Sequence, residues 1–296
     1  MVIYPLSDAV KSKFQSYDEG TNFEDGTRLA ITLSKILDGI KIISRSGSSK
    51  RRFVGELGSE IVVKVTPDIS DFTEYTSLQY LELHKPQLPT PRPQGLVVCG
   101  QSTYLFLSRI PGSTLAQLWP LLQKPQKESL SKDLDMILSD LRQLERPAGM
   151  ALGGVAKEGC KDARRNVKTC ETPFYSASDF WHFQYSGAPV GSQVYLKFLR
   201  DLTIPFQASK CVFAHGDLRM DNIIVQLQDD NTCRVSGIVD WEMSGFYPED
   251  FECTKITNTF ATNETDDWYL YLPSCVSPTR YPSRWLADFA WDKQVV

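Results

Sequence analysis

Two nearby pieces of the chain constrain its fold most. The first is Val212-Phe213-Ala214-His215-Gly216-Asp217-Leu218-Arg219-Met220-Asp221-Asn222-Ile223-Ile224-Val225, and the second is Gly237-Ile238-Val239-Asp240-Trp241-Glu242. Short apolar runs bounded by Gly, Asp and Asn read as buried strands joined by tight turns. The pattern is strand, loop, strand, and then a turn carrying an acid. Asp217 and Asn222 share one loop, five positions apart, and Asp240 follows after a hairpin. Two carboxylates and an amide are therefore expected around one small volume. Transfer of a phosphoryl group needs such a set, with a carboxylate to orient a hydroxyl and oxygen ligands for Mg²⁺.

The remaining composition excludes several alternatives. At 296 residues the chain suits one large domain or two lobes around a cleft. A formal net charge of −4 gives no electrostatic case for nucleic acid or an anionic membrane surface as a partner. The seven cysteines are scattered, odd in number and without a Cys-x-x-Cys pair, which argues against a zinc site or a disulfide framework and for reduced thiols. The first twenty residues carry charges throughout and no apolar core of a signal peptide. No apolar run approaches the ~18 residues of a membrane span. A cytoplasmic protein with no membrane partner is expected, of unknown oligomeric state.

Along the chain, residues 1–38 read as helical, with Leu29, Leu33, Ile36 and Leu37 at helical spacing. Residues 40–44, 52–57 and 61–65 read as an antiparallel meander split by Ser and Gly. Helical spacing returns over 68–83, the Pro-rich stretch 86–93 reads as a loop, and 96–99 with 104–107 as a hairpin. Ile110-Pro111-Gly112 breaks the pattern. Beyond it, 113–122, 128–144 and 194–202 read as helices, whereas 147–180 reads as a long loop, of a length that is often functional. The expected class is α+β with two lobes: residues 1–110, a small antiparallel-sheet lobe with an N-terminal helical extension, and residues 111–296, a mainly helical lobe enclosing the hairpin that bears Asp217.

The Asp-x-x-x-x-Asn spacing with a later Asp resembles the catalytic signature of the protein-kinase-like fold. His-Gly-Asp in place of His-Arg-Asp, and Asp-Trp-Glu in place of Asp-Phe-Gly, resemble its aminoglycoside phosphotransferase and choline kinase branch, whose members phosphorylate small molecules. The following Ser244-Gly245-Phe246-Tyr247-Pro248-Glu249-Asp250-Phe251-Glu252 is similar to a pattern common in fungal members. The resemblance spans roughly residues 40–255 and is strongest over 212–252. It implies an ATP- and Mg²⁺-dependent phosphotransferase acting on a hydroxyl of an unidentified small molecule. Asp217 is the implied catalytic base, and Asn222 and Asp240 the metal ligands. His215 is implied to be structural, packing under the loop and bonding backbone near the metal-binding acid. Lys64, in Ile61-Val62-Val63-Lys64-Val65, matches the lysine that binds the α- and β-phosphates, and Glu74 its partner. Leu107-Ser108-Arg109-Ile110-Pro111-Gly112 resembles the family's hinge, where adenine is expected to bond main-chain groups near Ser108 and Ile110.

The chain departs from the kinase pattern at the phosphate loop. Only Ser46-Gly47-Ser48-Ser49 is present, followed by Lys50-Arg51-Arg52, a basic run that either helps hold phosphates or forms a solvated strand edge. That gap keeps a second reading open, a catalytically silent or repurposed kinase-like protein that binds a nucleotide or secondary metabolite. Glu249, Asp250 and Glu252 either face a cationic acceptor or cap a helix after Pro248. The aromatics Phe180, Trp181, Phe183, Tyr185, Trp268 and Tyr269 line an acceptor pocket or belong to the core. Asp221 and Arg219 are expected to face solvent or cap the turn.

Overall fold

The apolar strand that carries Lys64 lies well inside a sheet, and its alternation decides what covers each face. The computed structural model describes residues 1–45, 52–162, 168–186, 192–203, 210–228 and 232–294. The chain divides into two compact units, Met1–Gln79 with Thr90–Ile110, and Tyr80–Pro89 with Pro111–Val296. The fold is α+β and kinase-like.

In the first unit, β1 (Val2–Tyr4), α1 (Asp8–Tyr17) and α2 (Gly26–Asp38) precede β2 (Lys41–Arg45), β3 (Phe53–Glu56) and β4 (Ile61–Thr66); α3 (Thr73–His84), β5 (Pro93–Cys99) and β6 (Ser102–Ser108) follow. The strands form one antiparallel sheet in the order β1-β5-β6-β4-β3-β2. On β4, Ile61, Val63 and Val65 join Val10, Phe14, Leu29, Leu33, Ile36, Val97 and Phe106 in one buried cluster, so α1 and α2 cover that face. Each such side chain, fully buried, contributes roughly 1.5–3 kcal/mol. Lys64 has the opposite parity and pairs with Glu74 of α3. Asp25 caps α2 by accepting the Thr27 and Arg28 N–H groups.

One expectation for this unit changes. Residues 1–38 are not helical throughout, because Val2–Tyr4 forms a strand paired with Val97 and Leu96. Three residues carry too little periodicity to be read locally, and a partner far along the chain decides their conformation. Tyr4 of this strand stacks on Tyr75 of α3, with ring centroids 4.0 Å apart. The proposed phosphate loop, Ser46 to Arg51, lies outside the described residues.

The second unit begins with the last turn of α3 and continues with β7 (Ser113–Thr114), α4 (Leu115–Leu118) and α5 (Lys124–Leu141). Then come β8 (Cys160–Asp162), β9 (Lys168–Cys170), α6 (Ala177–Gln184), α7 (Gln193–Thr203), β10 (Cys211–Ala214), β11 (Ile223–Leu227), β12 (Cys233–Ile238), β13 (Gly245–Pro248), α8 (Phe251–Lys255) and α9 (Pro282–Gln294). Leu130, Leu134, Leu138 and Leu141 form the buried stripe of α5. The stretch 113–122 is not one helix: Ser113 and Thr114 add a short strand to β11, opposite Val225 and Ile224. Residues 147–180 are likewise not one loop but contain the β8–β9 hairpin and the start of α6. Phe180, Trp181, Phe183 and Tyr185 pack with Leu196, Leu199, Tyr247, Phe251 and Trp291 as core, and Trp268 is buried against Trp119. No helix among the described residues is long and apolar enough to cross a membrane.

Candidate active site

The loop between β10 and β11 is shaped by one glycine and one buried acid. Gly216 has φ +82°, and a Cβ there would meet the Met243 carbonyl oxygen at 2.5 Å, so only glycine fits. Glu252, on α8 and 2 % exposed, accepts the N–H groups of His215 (2.7 Å) and Gly216 (3.1 Å) through Oε2. His215 is fully buried. Its Nδ1 accepts the Asp217 N–H at 3.2 Å, so Nε2 carries the proton and donates to the Val239 carbonyl at 3.0 Å. His215 therefore ties the Asp217 loop to the residue before Asp240, as the resemblance implies for a structural histidine.

Asp217 and Asn222 meet across this loop. Asn222 Nδ2 donates to the Asp217 main-chain oxygen at 2.8 Å and approaches Oδ2 at 3.5 Å, which leaves the amide oxygen as an acceptor. The Asn222 carbonyl accepts the Val239 N–H at 2.9 Å, and Ile223 lies opposite Ile238 in the β11–β12 ladder. Asn222 and Asp240 thus stand at the same end of one hairpin. Asp240 has φ +69°, a left-handed conformation that costs a non-glycine residue roughly 1–2 kcal/mol and persists only where its surroundings hold it. Carboxylate oxygens of Asp240 and Glu242 lie within 4.8 Å of each other.

The electrostatics follow from this crowding. Burial pushes the Asp217 carboxyl up to about 6; the Arg219 guanidinium opposes the rise, and Asp240 and Glu242 add to it. Arg219 Nε lies 3.3 Å from Asp217 Oδ2. An excess of negative charge with hard oxygen donors and a free amide oxygen suits a small divalent cation such as Mg²⁺, which would relieve the repulsion.

In the first unit, Lys64 Nζ donates to Glu74 Oε2 at 2.6 Å, both side chains being about nine-tenths buried. A buried ammonium needs such a partner. Ser108 ends β6; its N–H donates to the Arg92 carbonyl at 2.9 Å and its Oγ accepts the Arg92 N–H at 2.8 Å. Ile110 is the last residue of this unit, and the chain passes into the other unit at Pro111.

Some readings of the acidic and aromatic residues fall away. Glu252 neither faces an acceptor nor caps α8; it holds the Asp217 loop from beneath. Asp250 is 4 % exposed, beside the buried Arg284, and stands at the start of α8 without capping it through its side chain. Glu249 accepts a hydrogen bond from the Tyr281 hydroxyl. Asp221 is exposed, whereas Arg219 turns to Asp217. Sequence reasoning missed Arg219, Glu242 and Glu252 as parts of the site. For Glu242 the signal was present, because its side chain follows Asp240 by two positions in a turn.

A sequence model of the phosphotransferase enzyme family (APH) matches residues 40–273, most of the chain. No curated protein sequence matches. Among solved structures, the chain is similar to the ADP-bound aminoglycoside phosphotransferase APH(2'')-Ib, with a TM-score of 0.56, 14% identity, and 89% of this chain and 88% of that chain covered. It is also similar to a thermostable mutant of aminoglycoside phosphotransferase APH(4)-Ia in ternary complex with ADP and hygromycin B, with a TM-score of 0.53, 14% identity, and coverage of 88% and 87%. A third similarity, to the streptomycin–ATP–APH(2")-IIa ternary complex, has a TM-score of 0.50 at 12% identity, covering 84% of this chain and 75% of that one. These likenesses concern the fold, and with the match over 40–273 they lead to one statement of kinship: the chain belongs to the phosphotransferase enzyme family.

Proposed function

We propose that the protein transfers the γ-phosphoryl group of ATP to a hydroxyl of a small molecule. In that reaction the hydroxyl oxygen bonds to the γ-phosphorus, the bond from that phosphorus to the β,γ-bridging oxygen breaks, ADP leaves, and the hydroxyl proton passes to a base. The observation that carries this reading is the convergence of Asp217, Asn222, Asp240 and Glu242 at one end of the β11–β12 hairpin.

Asp217 orients the acceptor hydroxyl and receives its proton late in the transfer. A carboxyl near 6 is mostly ionised at neutral pH, and yet basic enough for this role. Asn222 and Asp240 would hold Mg²⁺, with Glu242 beside them; when bound, the ion would neutralise charge developing on the phosphates. Arg219, 3.3 Å from Asp217, adds positive charge next to the reacting group. Lys64 binds the α- and β-phosphates and is oriented by Glu74. The Ser108 N–H is bonded to the Arg92 carbonyl, and adenine would bond the other main-chain groups near Ser108 and Ile110.

The test uses ATP consumption with water and a panel of alcohols as acceptors. Asp217→Ala is expected to abolish turnover while nucleotide binding, read by calorimetry, persists. Turnover at the wild-type rate would remove Asp217 from its role. Wild-type protein that binds ATP·Mg²⁺ without ever consuming it would favour the catalytically silent alternative.

A further inference from the structure

Asp240 is held from both flanks by main-chain carbonyls. On its N-terminal side, the Val239 carbonyl accepts from His215 Nε2 at 3.0 Å. On its C-terminal side, the Glu242 carbonyl accepts from Lys161 Nζ at 2.8 Å. Lys161 comes from β8, remote in sequence, and is only 5 % exposed. Its own N–H donates to the Tyr247 hydroxyl on β13 at 3.1 Å. The residue after it, Asp162, is fully buried and pairs with the buried Lys255 of α8. Leading into β8, Gly153 exchanges both main-chain bonds with Phe246 of β13, at 2.9 Å each. The strand is thereby fixed at three places, against β13, against α8 and against the turn after Asp240.

Placing an ammonium group in the interior is costly unless it is well bonded. Here one of its bonds is spent on a peptide carbonyl. Such a bond fixes backbone, and the backbone it fixes carries the left-handed Asp240, a conformation that relaxes unless its surroundings hold it. We propose that Lys161 is a positioning residue: reaching from β8 to the Glu242 carbonyl, it locks the Asp240–Glu242 turn in the geometry that receives the divalent cation, with the Asp162–Lys255 pair anchoring the strand from which it reaches. This rests on the reading of Asp240 as a metal ligand only for its functional consequence; the mechanical part stands without it.

The sign of one measurement separates this role from plain electrostatics. Lys161 puts a positive charge near Asp240 and Glu242, so its removal should strengthen cation binding if charge alone mattered. A brace predicts the reverse. Lys161→Met and Lys161→Arg are compared with the wild type by thermal melting, by amide hydrogen exchange of the 239–245 segment in metal-free protein, and by Mn²⁺ affinity in the presence of ADP. For Lys161→Met the expected result is faster exchange in 239–245 and Mn²⁺ binding weaker by about tenfold, the scale of one lost charge-assisted hydrogen bond. Lys161→Arg, which keeps a long cationic donor, should recover most of both. Unchanged exchange, or Mn²⁺ bound equally well or more tightly by the methionine variant, would overturn the proposal. If the wild type itself binds no Mn²⁺·ADP, the metal reading fails instead, and the exchange arm alone decides the brace. Should Lys161→Met not fold, Lys161→Gln is judged by the same criteria.

Discussion

At the scale of single residues, the site stores a cost that its chemistry explains. Asp217 is an acid whose carboxyl is raised from 3.8 to about 6, chiefly by burial. The unfolded chain loses this proton near 3.8 and the folded chain near 6, so the carboxyl subtracts nothing from stability below pH 3.8. It subtracts increasingly between those values, and its full amount above 6. Asp217→Asn should therefore raise the melting temperature of metal-free protein at pH 7–8 while ending phosphoryl transfer, the gain vanishing at about pH 4. Calorimetric melts across that range check it; a variant less stable than wild type at pH 7 would contradict the burial of this charge. Gly216 makes the complementary point. Any side chain there strikes the Met243 carbonyl, so Gly216→Ala should destabilise the protein by upwards of about 1 kcal/mol, read by urea denaturation.

At the scale of elements, α8 serves a purpose beyond its five residues. Glu252 satisfies two buried main-chain donors of the Asp217 loop. Glu252→Ala should cost about 1–3 kcal/mol and lower the transfer rate, because both buried N–H groups lose their acceptor. Equilibrium unfolding with a matched rate assay checks this, and a stability loss with an unaltered rate would separate α8 from the site. The same helix marks the limit of what sequence discloses. The strands around Asp217, and Lys64 inside an apolar run, are legible because local alternation and turn residues coincide with what the tertiary structure demands. Helix α5 is legible because its leucines repeat at helical spacing over about three turns. Glu252 is not, since an acid after Pro-Glu-Asp fits a cap equally well, and only the fold brings His215 above it. The strand Val2–Tyr4 and the strand Ser113–Thr114 escape for another reason: each is too short for periodicity and owes its conformation to a distant neighbour. Lys161 lay within what reads as a polar loop, and its partner is a peptide carbonyl, which no side-chain pattern announces.

At the scale of the whole molecule, the seven thiols give a map of burial. All are free; Cys160, Cys233, Cys253 and Cys275 are buried, and Cys99, Cys170 and Cys211 are partly accessible. Burial pushes the Cys160 thiol up to about 12, so at pH 8 it remains protonated as well as shielded. Alkylation of native protein followed by mass spectrometry is expected to modify Cys99, Cys170 and Cys211 first, and Cys160 and Cys253 only after global unfolding. Early modification of Cys160 would mean that the β8–β9 hairpin opens on its own. The sheet of the first unit has a different consequence. Val2 pairs with Val97, so this strand waits for a partner made more than ninety residues later, roughly the span that separates the two in sequence. Contacts of such long range form slowly, and until they do Tyr4 has no strand to hold it over Tyr75. Residues Val2–Tyr4 should therefore become resistant to proteases during synthesis only after Pro93–Cys99 has emerged, long after their own emergence.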